Sequence, residues 1–226
     1  MEEKEEKITI DTENIKKETV ETAKKVKETI KGTNIKEETK TTKNFIVDMF
    51  KNPLEKIKEV ATDDSNKFFK IAIILVIAWT ILIFISSTYS TIYYWGFARV
   101  FRNILAVLKN ILAPAIGILV SSVIVIVLNK RNKKSLTTII STVTITQLPL
   151  MISSLASLLT IISSNISLVT TPFAKICSVV TIVLGYFGFK NLFGEYDDKV
   201  FIKKYVLIQV VYYVAYIVIK LLGIYI

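Results

Sequence analysis

Two glutamines lie inside apolar runs of this chain, and an amide in such surroundings needs a hydrogen-bond partner from the protein or from something it binds. Gln209 belongs to the stripe Tyr205, Gln209, Tyr212, Tyr216 and Lys220, spaced i, i+4, i+7, i+11 and i+15, which a helix brings onto one face. Gln147 stands just before Pro149, and beyond it Ser153, Ser157, Thr160 and Ser164 recur at i, i+4, i+7 and i+11. Small hydroxyls in such a row let another helix approach closely. Two readings are open. In one, Tyr205 and Lys220 anchor the ends of a membrane span while Tyr212 and Tyr216 pack as apolar bodies. In the other, Gln147, Ser153, Ser157, Thr160, Gln209, Tyr212 and Tyr216 form an intramembrane polar seam that guides a ligand or a partner helix.

Acid–base and nucleophilic chemistry have few carriers. The chain has no His, and its one cysteine, Cys177, lies in an apolar run where a buried, inert thiol is expected. No nucleophile–base pair, glycine-rich phosphate loop or metal-ligand spacing is visible, so no catalytic residue, cofactor or metal is expected, and the chain reads as non-enzymatic. Glu195, Asp197 and Asp198 read as solvated acids of a charged loop.

The elements that must position these polar groups are membrane spans. Of 226 residues 52% are hydrophobic, and the mean hydropathy is +0.50, above an ordinary soluble domain. Residues 1–70 carry sixteen basic and sixteen acidic side chains, so the net charge of +10 falls entirely in residues 71–226. Charge confined to loops and span ends suits anionic lipid headgroups and not nucleic acid. Ile111 to Asn129 contains no charge and is followed by a short loop with Lys130, Arg131, Lys133 and Lys134, which the positive-inside tendency assigns to the cytoplasm.

Along the chain, residues 1–44 read as a charged cytoplasmic tail, disordered or transiently helical, with no signal peptide. Residues 45–67 read as an amphipathic helix in the inner headgroup zone, with Asn52 as N-cap, Pro53 as first helical residue and Glu55 at the capping-box site. An ordinary soluble linker helix is the alternative there. The membrane domain is residues 68–226, with spans at about 68–87, 111–129, 136–162, 173–189 and 205–225. Pro149 should kink the third span, and Pro172 should open the fourth. Residues 97–110, whose polar face holds Arg99, Arg102 and Lys109, read as an outer interfacial helix touching lipid headgroups. The expectation is therefore an all-α, five-span protein of the plasma membrane, N-terminus in the cytoplasm and C-terminus outside. Its partners would be lipids and a membrane protein or a second copy of itself.

The polar tail, the Asn52-Pro53-Leu54-Glu55 element before the first span, the five-span layout and the Pro149-bearing third span after a basic loop resemble the bacterial branch of the Yip1 family. Gly185-Tyr186 is similar to that family's glycine-tyrosine element. The resemblance covers about residues 45–226. It implies a helical five-span scaffold or accessory protein; eukaryotic members bind small GTPases through their cytoplasmic part, and their aspartate-leucine-tyrosine-glycine-proline signature is missing here. A small transporter or channel component, using the polar seam between the third and fifth spans, is the alternative function.

Overall fold

The computed structural model describes residues 20–21, 24, 35–95, 104–129, 134–161, 163–194 and 197–222. The chain divides into Met1–Thr33 and Asn34–Ile226. In the first unit Val20, Glu21 and Lys24 are helical and exposed. The second unit comprises α1 (Ile35–Lys51), α2 (Pro53–Thr62), α3 (Lys67–Trp95), α4 (Ile104–Leu128), α5 (Leu136–Thr146), α6 (Leu148–Leu158), α7 (Ser167–Phe193) and α8 (Asp198–Leu222), with 3-10 turns at Leu159–Ile161 and Ser164–Ile166. All regular structure among the described residues is helical.

By length and apolarity, α3 and α7 could each cross a bilayer, and α5 with α6 could make a third crossing as one bent span. The described part of α4 adds a shorter apolar run, Leu112–Leu128. The distribution of side chains agrees with a lipid surround. Ile77, Ile81 and Phe84 of α3, Ile176 and Val179 of α7, and Val206 and Val210 of α8 are exposed, whereas Thr137, Thr138, Ser141, Thr142, Thr144 and Thr146 of α5 are buried. Lipid tails are as apolar as leucine, so such a bundle gains little from turning its leucines and valines inward.

Helix α5 is the centre, in contact with α2, α3, α4 and α7. Its threonine-rich sequence is compatible with burial because several of the hydroxyls are satisfied on their own helix, Thr144 being an exception. Ser141 donates to the Thr137 carbonyl at 2.6 Å, Thr142 to that of Thr138 at 2.9 Å, and Thr146 to that of Val143 at 2.7 Å. The expected kink is present: α5 stops at Gln147, Pro149 sits in the first turn of α6, and the two axes differ by 42°. Proline supplies no N–H to the carbonyl four residues back and crowds it, so the helix turns there.

Several expected boundaries move. Helix begins by Ile35, so 35–44 belongs to α1 and not to a tail; Thr42, Phe45 and Met49, at i, i+3 and i+7, are buried and hold it down. Helix α2 starts at Pro53 as expected, but Asn52 makes no side-chain capping bond. Ile57, Val60 and Ala61 are fully buried against α5 and α7, while Leu54 points outward; α2 is therefore a packed part of the bundle. Residues 104–110 run without a break into 111–128, so they extend the helix expected as the second span; the rest of the expected interfacial helix, 97–103, lies outside the described residues. Nothing at the junction breaks helix, and the amide of Asn110 reaches the Ser87 hydroxyl of α3 at 3.4 Å. Helix α3 continues past Ser87 to Trp95. Helix α7 begins five residues before Pro172, which stands inside it.

At one end of the bundle three turns are fastened together. Thr138 of α5 donates to the Asp63 carbonyl (3.2 Å) or the Asp64 carboxylate (3.1 Å), and Lys134 lies 3.8 Å from Asp64. Asn129 donates to the Leu192 carbonyl at 3.1 Å, and Lys204 to that of Leu128 at 3.0 Å. The segments before α3, between α4 and α5, and between α7 and α8 thus share an end. Gly194 closes α7 there with φ 71°, a region L side chains avoid.

Candidate functional site

The break between α5 and α6 opens one wall of a cavity of about 480 Å³, bounded by α3, α4, α6, α7 and α8. That volume is within the usual range for small-molecule sites. Five of the seven residues expected in the polar seam line it: Gln147, Ser153, Ser157, Gln209 and Tyr212. Thr160 does not; its hydroxyl is turned back onto the Ser157 carbonyl at 2.6 Å. The Tyr216 side chain lies outside the described residues.

Each wall has a local cause. Gln147 reaches the cavity because the helix ends on it. On α6, Ser157 donates to the Ser154 carbonyl at 2.7 Å, so this part of the hydroxyl row is folded against its own backbone. Tyr212 stands against Gly117 of α4: a Cβ added there would come 2.6 Å from the Tyr212 ring, so the missing side chain lets α4 and α8 close at that point. Gln209 lies beside Tyr205, since a Cβ on Gly185 would meet the Tyr205 hydroxyl at 3.1 Å and the Gln209 Nε2 at 3.7 Å. Tyr205 itself donates to the Ile182 carbonyl, joining α8 to α7.

The seam expectation misses much of the lining. Trp79 of α3 is buried, and its indole N–H donates at 3.0 Å to the Ser154 hydroxyl, which in turn donates to the Leu150 carbonyl at 3.0 Å. Asn110, Ser178, Thr181 and Tyr213 also line the cavity. No charged side chain is among the described lining residues. Two oxygens there, the Gln147 Oε1 and the Thr181 Oγ1, are shielded from solvent with no hydrogen-bond partner among the described residues. Cys177 is buried nearby on α7 and does not line the cavity.

Of the residues expected to touch lipid headgroups, Lys134 is the one whose side chain is described, and it faces Asp64. Lys109 lies on α4 with its side chain outside the described residues, as do Arg99, Arg102, Lys130, Arg131 and Lys133 entirely. Beside Lys134, hydrogen bonds from the Ser65 backbone and hydroxyl hold the Asp63 carboxyl below its usual range, and Lys56 is raised by its bond to Glu59 at 2.7 Å. The first belongs to the turn between α2 and α3 and the second is an i, i+3 pair within α2, so both are structural.

No family model, curated protein or solved structure matches the chain.

Proposed function

We propose that the chain is a five-span integral membrane protein of the Yip1-like type, N-terminus in the cytoplasm, that acts as a non-enzymatic scaffold or accessory protein. The observation that carries this reading is the surface made by α1 and α2. Both helices are charged and lie before the first apolar helix, both are held on the bundle by buried residues, and yet Val47, Phe50 and Leu54 remain exposed on them, Phe50 at 65%. A fixed apolar patch set among charges serves contact with another protein or with the inner headgroup zone. The order of crossings draws support from the three fastened turns, because in a chain of five crossings the segments before α3, between α4 and α5, and between α7 and α8 lie on one side; the inward orientation rests on the basic loop after α4. The convergence of the seam on one cavity favours a small transporter or channel component as the second reading.

Two experiments test the proposal. In intact cells carrying Cys177→Ser, Asn165→Cys should react with a membrane-impermeant maleimide and Ser65→Cys should react only after lysis; the opposite pattern would reject the orientation. Purification from mild detergent should retain a partner protein, and Phe50→Ser should release it at unchanged expression. Solute flux by the protein alone in liposomes, with no partner retained, would replace the scaffold reading by the second.

A further inference from the structure

We infer that the cavity between α3, α4, α6, α7 and α8 binds an uncharged polyhydroxyl group of the glycerol kind, either as the head of a single-chain lipid or as a free polyol. This goes beyond the scaffold reading and does not depend on it.

The ligand's charge follows from the walls. An ion in a site with no described charged lining residue would carry its full desolvation cost, so a neutral group is selected. Its hydrogen-bonding character follows from the two shielded, unpartnered oxygens. Thr181 is 8% exposed and lines the cavity, so its hydroxyl sits at an apolar depth where an unmade bond is expensive. The Gln147 amide oxygen, at the helix break, is in the same position. A carbonyl oxygen needs a donor, which excludes ligands that only accept, such as simple esters and ketones. A hydroxyl both donates and accepts, so neighbouring hydroxyls on one small ligand satisfy an amide in either orientation together with a threonine. The rest of the lining mixes further hydroxyls and amides, such as Ser178 and Gln209, with apolar side chains, and the apolar part, with Trp79, Leu82 and Leu150 among it, suits a hydrocarbon body attached to such a head.

Trp79 provides the readout. The full chain carrying Trp95→Phe, which leaves Trp79 as the one tryptophan, is placed in phosphatidylcholine nanodiscs and titrated with monoolein, glycerol and oleate while its emission is followed. A saturable change with monoolein and not with glycerol identifies a lipid source; a saturable change with glycerol identifies a free polyol. Thr181→Val and Gln147→Leu should each weaken the effective ligand at least tenfold, and Thr181→Ser should retain its affinity. Thr144→Val, which removes an equally shielded and unpartnered hydroxyl outside the cavity, should leave affinity unchanged and serves as the control for folding. No saturable change with either neutral probe overturns the inference. So does binding of oleate equal to that of monoolein, or a Thr181→Val and Gln147→Leu pair that binds as tightly as the parent.

Discussion

Ile57→Asp is expected to detach α2 from the bundle and expose the segment around Lys56 and Lys58 to trypsin, with cleavage at least tenfold faster than in the parent protein. Ile57 is fully buried between α5 and α7, on a helix that precedes the apolar spans. On the proposed topology this helix lies at the inner face, where burial of Ile57 removes apolar surface from water, a driving force that helix contacts deep in a bilayer lack. Replacement by alanine removes the transferred surface and leaves a cavity, together about 2–5 kcal/mol. A carboxylate there would also be buried without a partner, which adds several kcal/mol or forces the helix off. Leu54→Ala, at an exposed site on the same helix, should leave the cleavage rate near that of the parent. Equal cleavage of Ile57→Asp and the parent would mean that α2 is held by its corner hydrogen bonds and ion pairs, such as Thr138 to Asp63, and not by its apolar stripe.

That α2 is built this way is only partly legible in its sequence. Leu54, Ile57 and Val60 predict one apolar side, and the start at Pro53 follows from proline chemistry, but the same stripe suits a headgroup zone or a protein groove. What decides is the groove, and the groove exists because Gly188 on α7 and the threonines on α5 are small. Helix α1 is less legible because Lys, Glu and Thr dominate residues 35–44 and the buried Thr42 is no hydrophobic signal. The junction at Asn110 and Ile111 misleads for the opposite reason. A change from amphipathic to wholly apolar composition marks a change of surroundings, whereas helix continues across it unless a breaker intervenes. Pro172 is similar: proline fits best in a first turn, yet the α7 ladder forms on both sides of it.

The cavity is legible to the extent that its members stand out from apolar neighbours at helical spacing. Gln147, Ser153, Ser157, Gln209 and Tyr212 do so, and they meet. Ser178 and Thr181, at i and i+3 on α7, carry a helical mark that the two-glutamine seam leaves out, whereas Trp79 has Leu82 and Ile83 at i+3 and i+4 and no polar partner there to mark a face. The role of Trp79 comes only from packing between helices distant in sequence, as in its bond to Ser154 across 75 positions. Thr160 satisfies the spacing and still lies outside the cavity, because a hydroxyl near the end of α6 finds the carbonyl three residues back more readily than another helix.

Gly188→Leu should cause the second large loss, by wedging α7 away from α5 and α2 together. A Cβ at Gly188 would lie 3.1 Å from the methyls of both Thr142 and Thr146 and 3.2 Å from Ile57 Cγ1. Each contact is closer than comfortable packing, and the three neighbours sit on two helices, so no single side-chain rotation relieves them all. Gly188→Ala already demands a shift of a few tenths of an ångström, and the further carbons of leucine demand separation of the helices, an overpacking cost of about 1–3 kcal/mol or more. The loss would be read as a lower midpoint of thermal unfolding in detergent and as faster trypsin cleavage at Lys56 and Lys58, since α2 loses the same groove. Shape and not polarity is the claimed cause, which a rescue can isolate. Thr142→Ser and Thr146→Ser remove the two methyls and keep the hydroxyls that bond to their own helix, so adding them to Gly188→Ala should recover a substantial part of its loss. If the triple variant is no more stable than Gly188→Ala alone, the glycine is needed for a reason other than close approach, and the account of how α2, α5 and α7 lock together fails with it.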